Sequence, residues 1–222
     1  MLDRPKTQPE INKFRRESLI RATLQVVAEK GIQSATIADI CTAAGVSRGL
    51  ANHYFDSKDQ LLECAFRAMF KELDIVSAEA EAAEDRATRK LLAITYATFS
   101  NDFFNPTARA ANLSFWSASL ASVPLSAINR EVYSGYHQHL QSLFADAARE
   151  HGVTLDARHA AISLIGMIDG LWLGLALRNG QFTPDLAYRM CREHIKAQLK
   201  LSEDDPILAQ PLDIEKRTSL SD

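Results

Sequence analysis

Glycine and proline are scarce in this chain, nine and seven among 222 residues. Strand-rich folds need frequent turns, and no stretch alternates apolar and polar positions convincingly, so a β architecture is excluded. Cysteine is equally sparse: Cys41, Cys64 and Cys191 form an odd, widely spaced set with no CxxC pair. They read as reduced thiols, not as a secreted disulfide framework. The opening MLDRPKTQPEINKFRRE is polar and lacks the apolar centre of a signal peptide, so no targeting segment is expected. Only Ala160–Leu177 is a long apolar run, and it contains Asp169 and three glycines without aromatic or basic flanks. It reads as a buried helix of a soluble protein, with no membrane partner. GxSxG, a glycine-rich phosphate loop and HExxH are all missing. His137 and His139, two apart, face different sides of a helix. No catalytic residue, metal or cofactor is therefore expected.

What is present is helical. Hydrophobic residues make up 46% and charged residues 24%, ordinary for a folded domain. The net charge of −3 conceals an asymmetry: residues 1–60 hold nine Lys/Arg against seven Asp/Glu, and the remainder 16 against 21. A small basic module on an acidic body fits that distribution. Ile20, Leu24 and Val27 mark a first helix ending near Gly31, followed by short helices over 37–44 and 48–55 and a longer one from Lys58 to near Glu84. Further helices are expected at roughly 86–101, 106–121, 126–150, 156–179 and 184–200, with Pro106, Pro124 and Pro184 at or just before their starts. The tail 202–222 is expected to lack fixed structure. The fold class is all-α, with about nine helices.

Residues 36–55 carry the most information. Thr36-Ile-Ala-Asp39 has a capping-box layout, Gly45 suits a tight turn, and Ser47 suits the cap of the next helix. Two short helices joined by such a turn form a helix-turn-helix. An αα-hairpin with merely solvated Arg48 and Lys58 has the same spacing. In the DNA-reading alternative, Arg48 can address guanine, Asn52 adenine and Leu50 a thymine methyl, while His53, Tyr54 and Lys58 suit phosphates. The run TIADICTAAGVSRGLANHYFDSKDQLL closely resembles the N-terminal signature of the TetR family of bacterial transcriptional regulators. The resemblance implies a three-helix DNA-binding head over 13–73, a larger ligand-binding and dimerising body over 74–201, and repression relieved by a small molecule. By position it makes Thr36, Ser47, Arg48, Gly49, Leu50, Asn52, His53, Tyr54 and Lys58 the DNA-contacting residues. It also implies a homodimer on a roughly palindromic duplex operator, in the cytoplasm at the bacterial nucleoid. Asn52 and Ala51 depart from the common pattern, so operator sequence is not inherited.

In the body, Asn112–Ser119 and Leu164–Leu173 resemble the BetI-type branch of these regulators, choline-responsive repressors of glycine-betaine synthesis. A quaternary ammonium donates no hydrogen bond and is held against aromatic faces. Tyr96, Phe99, Phe103, Phe115, Trp116 and Trp172 are the candidates, with Asp169 as counter-charge. The same residues suit an unrelated hydrophobic or amine effector, or plain core packing with Asp169 paired to Arg109 or Arg178. Gly166, Gly170 and Gly174, four apart, leave a flat strip on a helix otherwise expected to be buried all round. With Leu186, Met190 and Ile195 they are expected to form the dimer interface.

Overall fold

The computed structural model describes residues 7–177, 180–216 and 218–220. Ten helices follow in order: α1 (Gln8–Ser34), α2 (Ile37–Ala44), α3 (Arg48–Tyr54), α4 (Lys58–Ala82), α5 (Ala87–Phe99), α6 (Pro106–Ser119), α7 (Val123–His151), α8 (Ala157–Ala176), α9 (Pro184–Gln198) and α10 (Pro206–Ala209). A 3-10 turn at Ile214–Lys216 comes last. No strand forms among the described residues; Ser100 and Leu220 make an isolated antiparallel bridge. The all-α expectation holds, with one helix more than the nine read from periodicity.

Local chemistry explains the boundaries. Thr7 caps α1 in a reciprocal box with Glu10, which starts the helix well upstream of its first apolar marker. Gly31, at φ 74°, breaks it where the sequence places its end, and one further turn runs on to Ser34. Pro106, Pro184 and Pro206 are each the first residue of a helix, where the missing N–H is harmless.

The chain divides into two compact units. One comprises the segment up to Phe70 with Pro106–Asn129; the other comprises Lys71–Asn105 and the chain from Arg130 onward. The boundary between the units falls inside α4, after Phe70, and α6 joins the first unit, where it packs on α1. The core of that unit holds Leu19, Val27, Ile40, Leu61 and Phe66, with Phe66 stacked 4.6 Å from Phe115 of α6. In the second unit α5 is the central helix: apart from Arg89 and Lys90 all its residues are buried, and it packs on α8 and α9.

Two expectations are corrected. The described part of the tail is folded: Ile207, Leu212 and Ile214 are buried, and Arg89 binds the carbonyls of Ile207, Gln210 and Pro211. A run of acids and prolines concealed a few apolar residues that pack without any period. Secondly, α8 is not covered all round within one chain. Leu164, Ile168 and Trp172 are buried, while Ile162, Gly166, Gly170 and Leu173 lie exposed.

Candidate functional site: an exposed helix face and a carboxylate among aromatics

The helix-turn-helix of α2 and α3 is built from caps. The Thr36 hydroxyl accepts the Asp39 N–H at 3.1 Å and donates to the Asp39 carboxylate at 2.8 Å. Lys30 reaches the same carboxylate at 2.7 Å and, with Thr36, holds its pKa below the usual range. That pair fastens the start of α2 to α1. Gly45 takes the left-handed conformation at φ 66°, and the Val46 and Gly45 amides return to the Cys41 and Thr42 carbonyls. The Ser47 hydroxyl then accepts the Leu50 N–H at 3.2 Å and starts α3.

Ala51 and Phe55, four apart, are buried and anchor α3. Their burial turns Arg48, Gly49, Asn52 and His53 outward, where they are exposed, with Leu50 half-exposed at the edge. Thr36 and Ser47 are exposed at the starts of α2 and α3. Tyr54 is half-buried, and its hydroxyl donates to Asn12 of α1 at 2.9 Å. Lys58 donates to the Ile32 carbonyl at 3.1 Å, and its ammonium has two further protons to offer. All nine candidate DNA-contacting residues thus lie in the first unit, at the two helix starts or on and beside α3. Asn12, which fixes the Tyr54 hydroxyl, carries no sequence signal: its partner lies 42 residues away.

The candidate effector residues are less united. Phe115 is buried against Phe66 and, with Trp116, belongs to the first unit. Tyr96, Phe99, Phe103, Asp169 and Trp172 belong to the second. Tyr96 meets the edge of Tyr188 at 5.1 Å and donates its hydroxyl to the Thr218 carbonyl. That bond ties it to the tail. Phe99 and Phe103 are buried.

Asp169 has companions the sequence reading missed. The Tyr133 hydroxyl donates to its carboxylate at 3.1 Å, and the buried Tyr136 hydroxyl feels the same charge. Trp172, one turn along α8, meets the edge of Phe104 at 5.2 Å. Burial pushes the Asp169 pKa up to about 6, against the lowering effect of the Tyr133 hydrogen bond. Burial and the Asp169 charge together push the Tyr133 phenol far above its ordinary value, so it stays a neutral donor. Among the described residues of this unit no lysine or arginine pairs with Asp169; Arg178 lies outside the described residues. The result is a partly desolvated carboxylate that accepts from one phenol, with a buried indole one turn along the same helix. Such a place favours a compact organic cation that brings its own charge and asks for no acceptor. Tyr133 and Tyr136, three apart on a predicted helix, share a face, and that spacing was the available signal.

A second surface concerns α8 and α9. Ile162, Leu173, Leu177, Leu186 and Met190 are large apolar side chains left exposed. A Cβ added at Gly166 or Gly170 meets nothing within 4 Å, so packing inside this chain does not demand glycine there. Gly174 is half-buried. Ile195, expected on this surface, is fully buried in its own chain instead. It lies roughly 140° around α9 from Met190, on the inner side.

Comparison with known proteins agrees with this layout. Residues 19–65 match the family described as bacterial regulatory proteins, tetR family. Residues 87–200 match the C-terminal domain of BetI-type transcriptional repressors. The HTH-type transcriptional regulator BetI of Stenotrophomonas maltophilia is 37% identical over 194 residues, covering 86% of this chain and 95% of its own length. A solved structure of a transcriptional regulator from Pseudomonas aeruginosa PAO1 superposes with a TM-score of 0.77 at 32% identity, over 88% of this chain and 93% of that one. The fold also matches a Saccharomonospora viridis regulator solved with choline, at a TM-score of 0.73 and 18% identity, over 83% and 96% of the two chains. These are families of regulators, not of enzymes.

Proposed function

Because the chain belongs to the TetR family of DNA-binding transcriptional regulators, in its BetI-type branch, we propose that a choline-like quaternary ammonium releases it from its operator. One observation carries the reading: Asp169 is partly buried, accepts the Tyr133 hydroxyl and lies one turn before the buried Trp172 on α8, without a basic partner among the described residues of its unit. A permanent cation there gains Coulomb attraction and aromatic contacts of about 0.5–2 kcal/mol each. The test is a gel-shift titration with choline, betaine aldehyde and related amines. Release by trimethylammonium compounds, with neutral isosteres inert, supports the reading. Operator affinity unchanged across the whole panel overturns it.

The protein acts as a homodimer joined through the exposed glycine-bearing face of α8 and the Leu186–Met190 edge of α9. Two heads bind two half-sites about 34–36 Å apart, so the operator is near-palindromic. The dimer works in the cytoplasm, at the nucleoid. Helix α4 runs unbroken from Lys58 in the first unit to Ala82 in the second. Effector binding shifts α4 and with it the spacing of the two heads, and couplings of ~1–3 kcal/mol suffice for 5–150-fold release.

On α3, Arg48 and Asn52 read bases, while Lys58, Tyr54, His53, Ser47 and the start of α2 at Thr36 hold phosphates. Gly49 lets the helix approach the groove, and Leu50 meets a thymine methyl. Accordingly Arg48→Ala will weaken specific binding by ~1–3 kcal/mol and relax preference at one base pair per half-site. Lys58→Ala will weaken specific and scrambled duplexes alike and flatten the salt dependence. Fluorescence anisotropy on both duplexes across a salt series separates the two behaviours. Identical profiles for both variants contradict this division.

A further inference from the structure

The C-terminal segment beyond Leu201 lies outside the matched family regions, which end at residue 200. It is nevertheless tied into the second unit at two points. The lower tie centres on Arg89. Its guanidinium pairs with the Glu84 carboxylate and donates to the carbonyls of Ile207 at 3.4 Å, Gln210 at 3.1 Å and Pro211 at 3.0 Å. Glu84 is itself buried and accepts the Asp213 N–H at 3.0 Å. Arg192 of α9 adds a bond to the Leu208 carbonyl, and Ile207, Leu212 and Ile214 fill the space beneath. One arginine thereby joins the segment after α4, the first turn of α5 and the tail.

The upper tie is at the other end of α5. The Tyr96 hydroxyl donates to the Thr218 carbonyl at 3.2 Å. The Asn101 backbone N–H donates to the Ser219 carbonyl and its side-chain amide to the Ser219 hydroxyl, both at 2.9 Å. Ser100 and Leu220 bridge in antiparallel fashion. These bonds fasten the turn over residues 100–105, which is closed internally by the Phe103 and Phe104 amides on the Ser100 carbonyl. The same turn sends Phe104 inward to a T-shaped contact with Trp172. The tail therefore holds in place the loop whose Phe104 packs against Trp172, one turn from Asp169 on α8.

We infer that residues 202–216 and 218–220 form a strap that positions the Phe103–Phe104 turn against Trp172, so that effector affinity depends on a segment outside the matched family regions. The inference rests on the effector reading above for its affinity readout, but not for its structural one. A turn of six residues with few bonds of its own opens readily when its external ties are cut. Hydrogen exchange of its amides reports that opening without any ligand.

The experiment compares the full chain with chains ending at Leu201 and at Lys216. The longer truncation product keeps the Arg89 tie and the buried Ile207, Leu212 and Ile214, so it stays folded even if removal of the whole strap does not. Amides 100–105 are expected to exchange at least tenfold faster in either truncated chain. The dissociation constant for choline should rise at least tenfold, while effector-free operator affinity changes less than threefold. Unchanged exchange over 100–105 in the chain ending at Lys216 overturns the strap. If choline binds the full chain and the Lys216-terminated chain equally well, the strap is likewise overturned. If choline fails to bind the full chain, the effector reading fails alone, and the exchange rates still decide the strap.

Discussion

Replacing Asp169 by Asn will leave operator binding intact and abolish its release by choline. The variant keeps an oxygen to accept the Tyr133 hydroxyl, so the local hydrogen bond survives. What disappears is the charge. Truncating one member of a desolvated charge pair costs about 2–5 kcal/mol, so choline affinity will fall at least ~30-fold. The free protein will meanwhile become more stable at neutral pH. The Asp169 pKa, raised to about 6 by burial, means that folding disfavours its ionised form. Linkage fixes the sign: the penalty is full above pH 6 and is relieved as pH falls toward the ordinary carboxylate value. Two pKa units amount to roughly 3 kcal/mol. Residual solvent access reduces that to ~1–2 kcal/mol, or several degrees in Tm for a chain of this size. Thermal scans at pH 5 and pH 7.5 check it. The wild type should gain relative to the variant on acidification, and choline affinity of the wild type should weaken about tenfold per pH unit below 6. A variant that responds normally to choline removes Asp169 from the site.

Gly170→Leu will convert a dimer into a folded monomer with feeble operator affinity. Within one chain a side chain at this position enters open space, and leucine is about 0.8–1 kcal/mol better than glycine in a helix. If no second copy covered the face, the substitution would be neutral or stabilising and nothing else would change. If two α8 helices meet there, the added side chain holds them apart. Separated heads lose the intramolecular second contact, and operator affinity falls by roughly 10²–10⁴. Light scattering gives the mass and anisotropy the affinity. A dimer that tolerates Leu at both Gly166 and Gly170 places the interface elsewhere.

The head was legible because its information is local. Thr36 with Asp39, Gly45 and Ser47 each specify a cap or turn within four residues, and the structure realises all of them. The remainder depends on partners distant in sequence. Phe115 looked like a pocket aromatic, but its ring is committed to Phe66, 49 positions earlier. Tyr133 and Tyr136 could equally have been core residues, and only α8 facing them from 36 residues away at Tyr133 reveals the carboxylate. Phe104 sits past the end of α5, where no helical period applies. The tail escaped because its ties come from Arg89, some 120 residues upstream. Ile195 is a different kind of miss: its angular offset from Met190 was calculable, and helical phase already placed it inside.

The most direct test of the account is anisotropy of the full-length protein on a selected operator duplex, titrated with choline and with its neutral carbon isostere, 3,3-dimethylbutanol. The account predicts release by choline and none by the neutral compound, with half-release moving to higher choline concentration below pH 6. A complex that persists at saturating choline, or that both compounds dissolve equally, contradicts it.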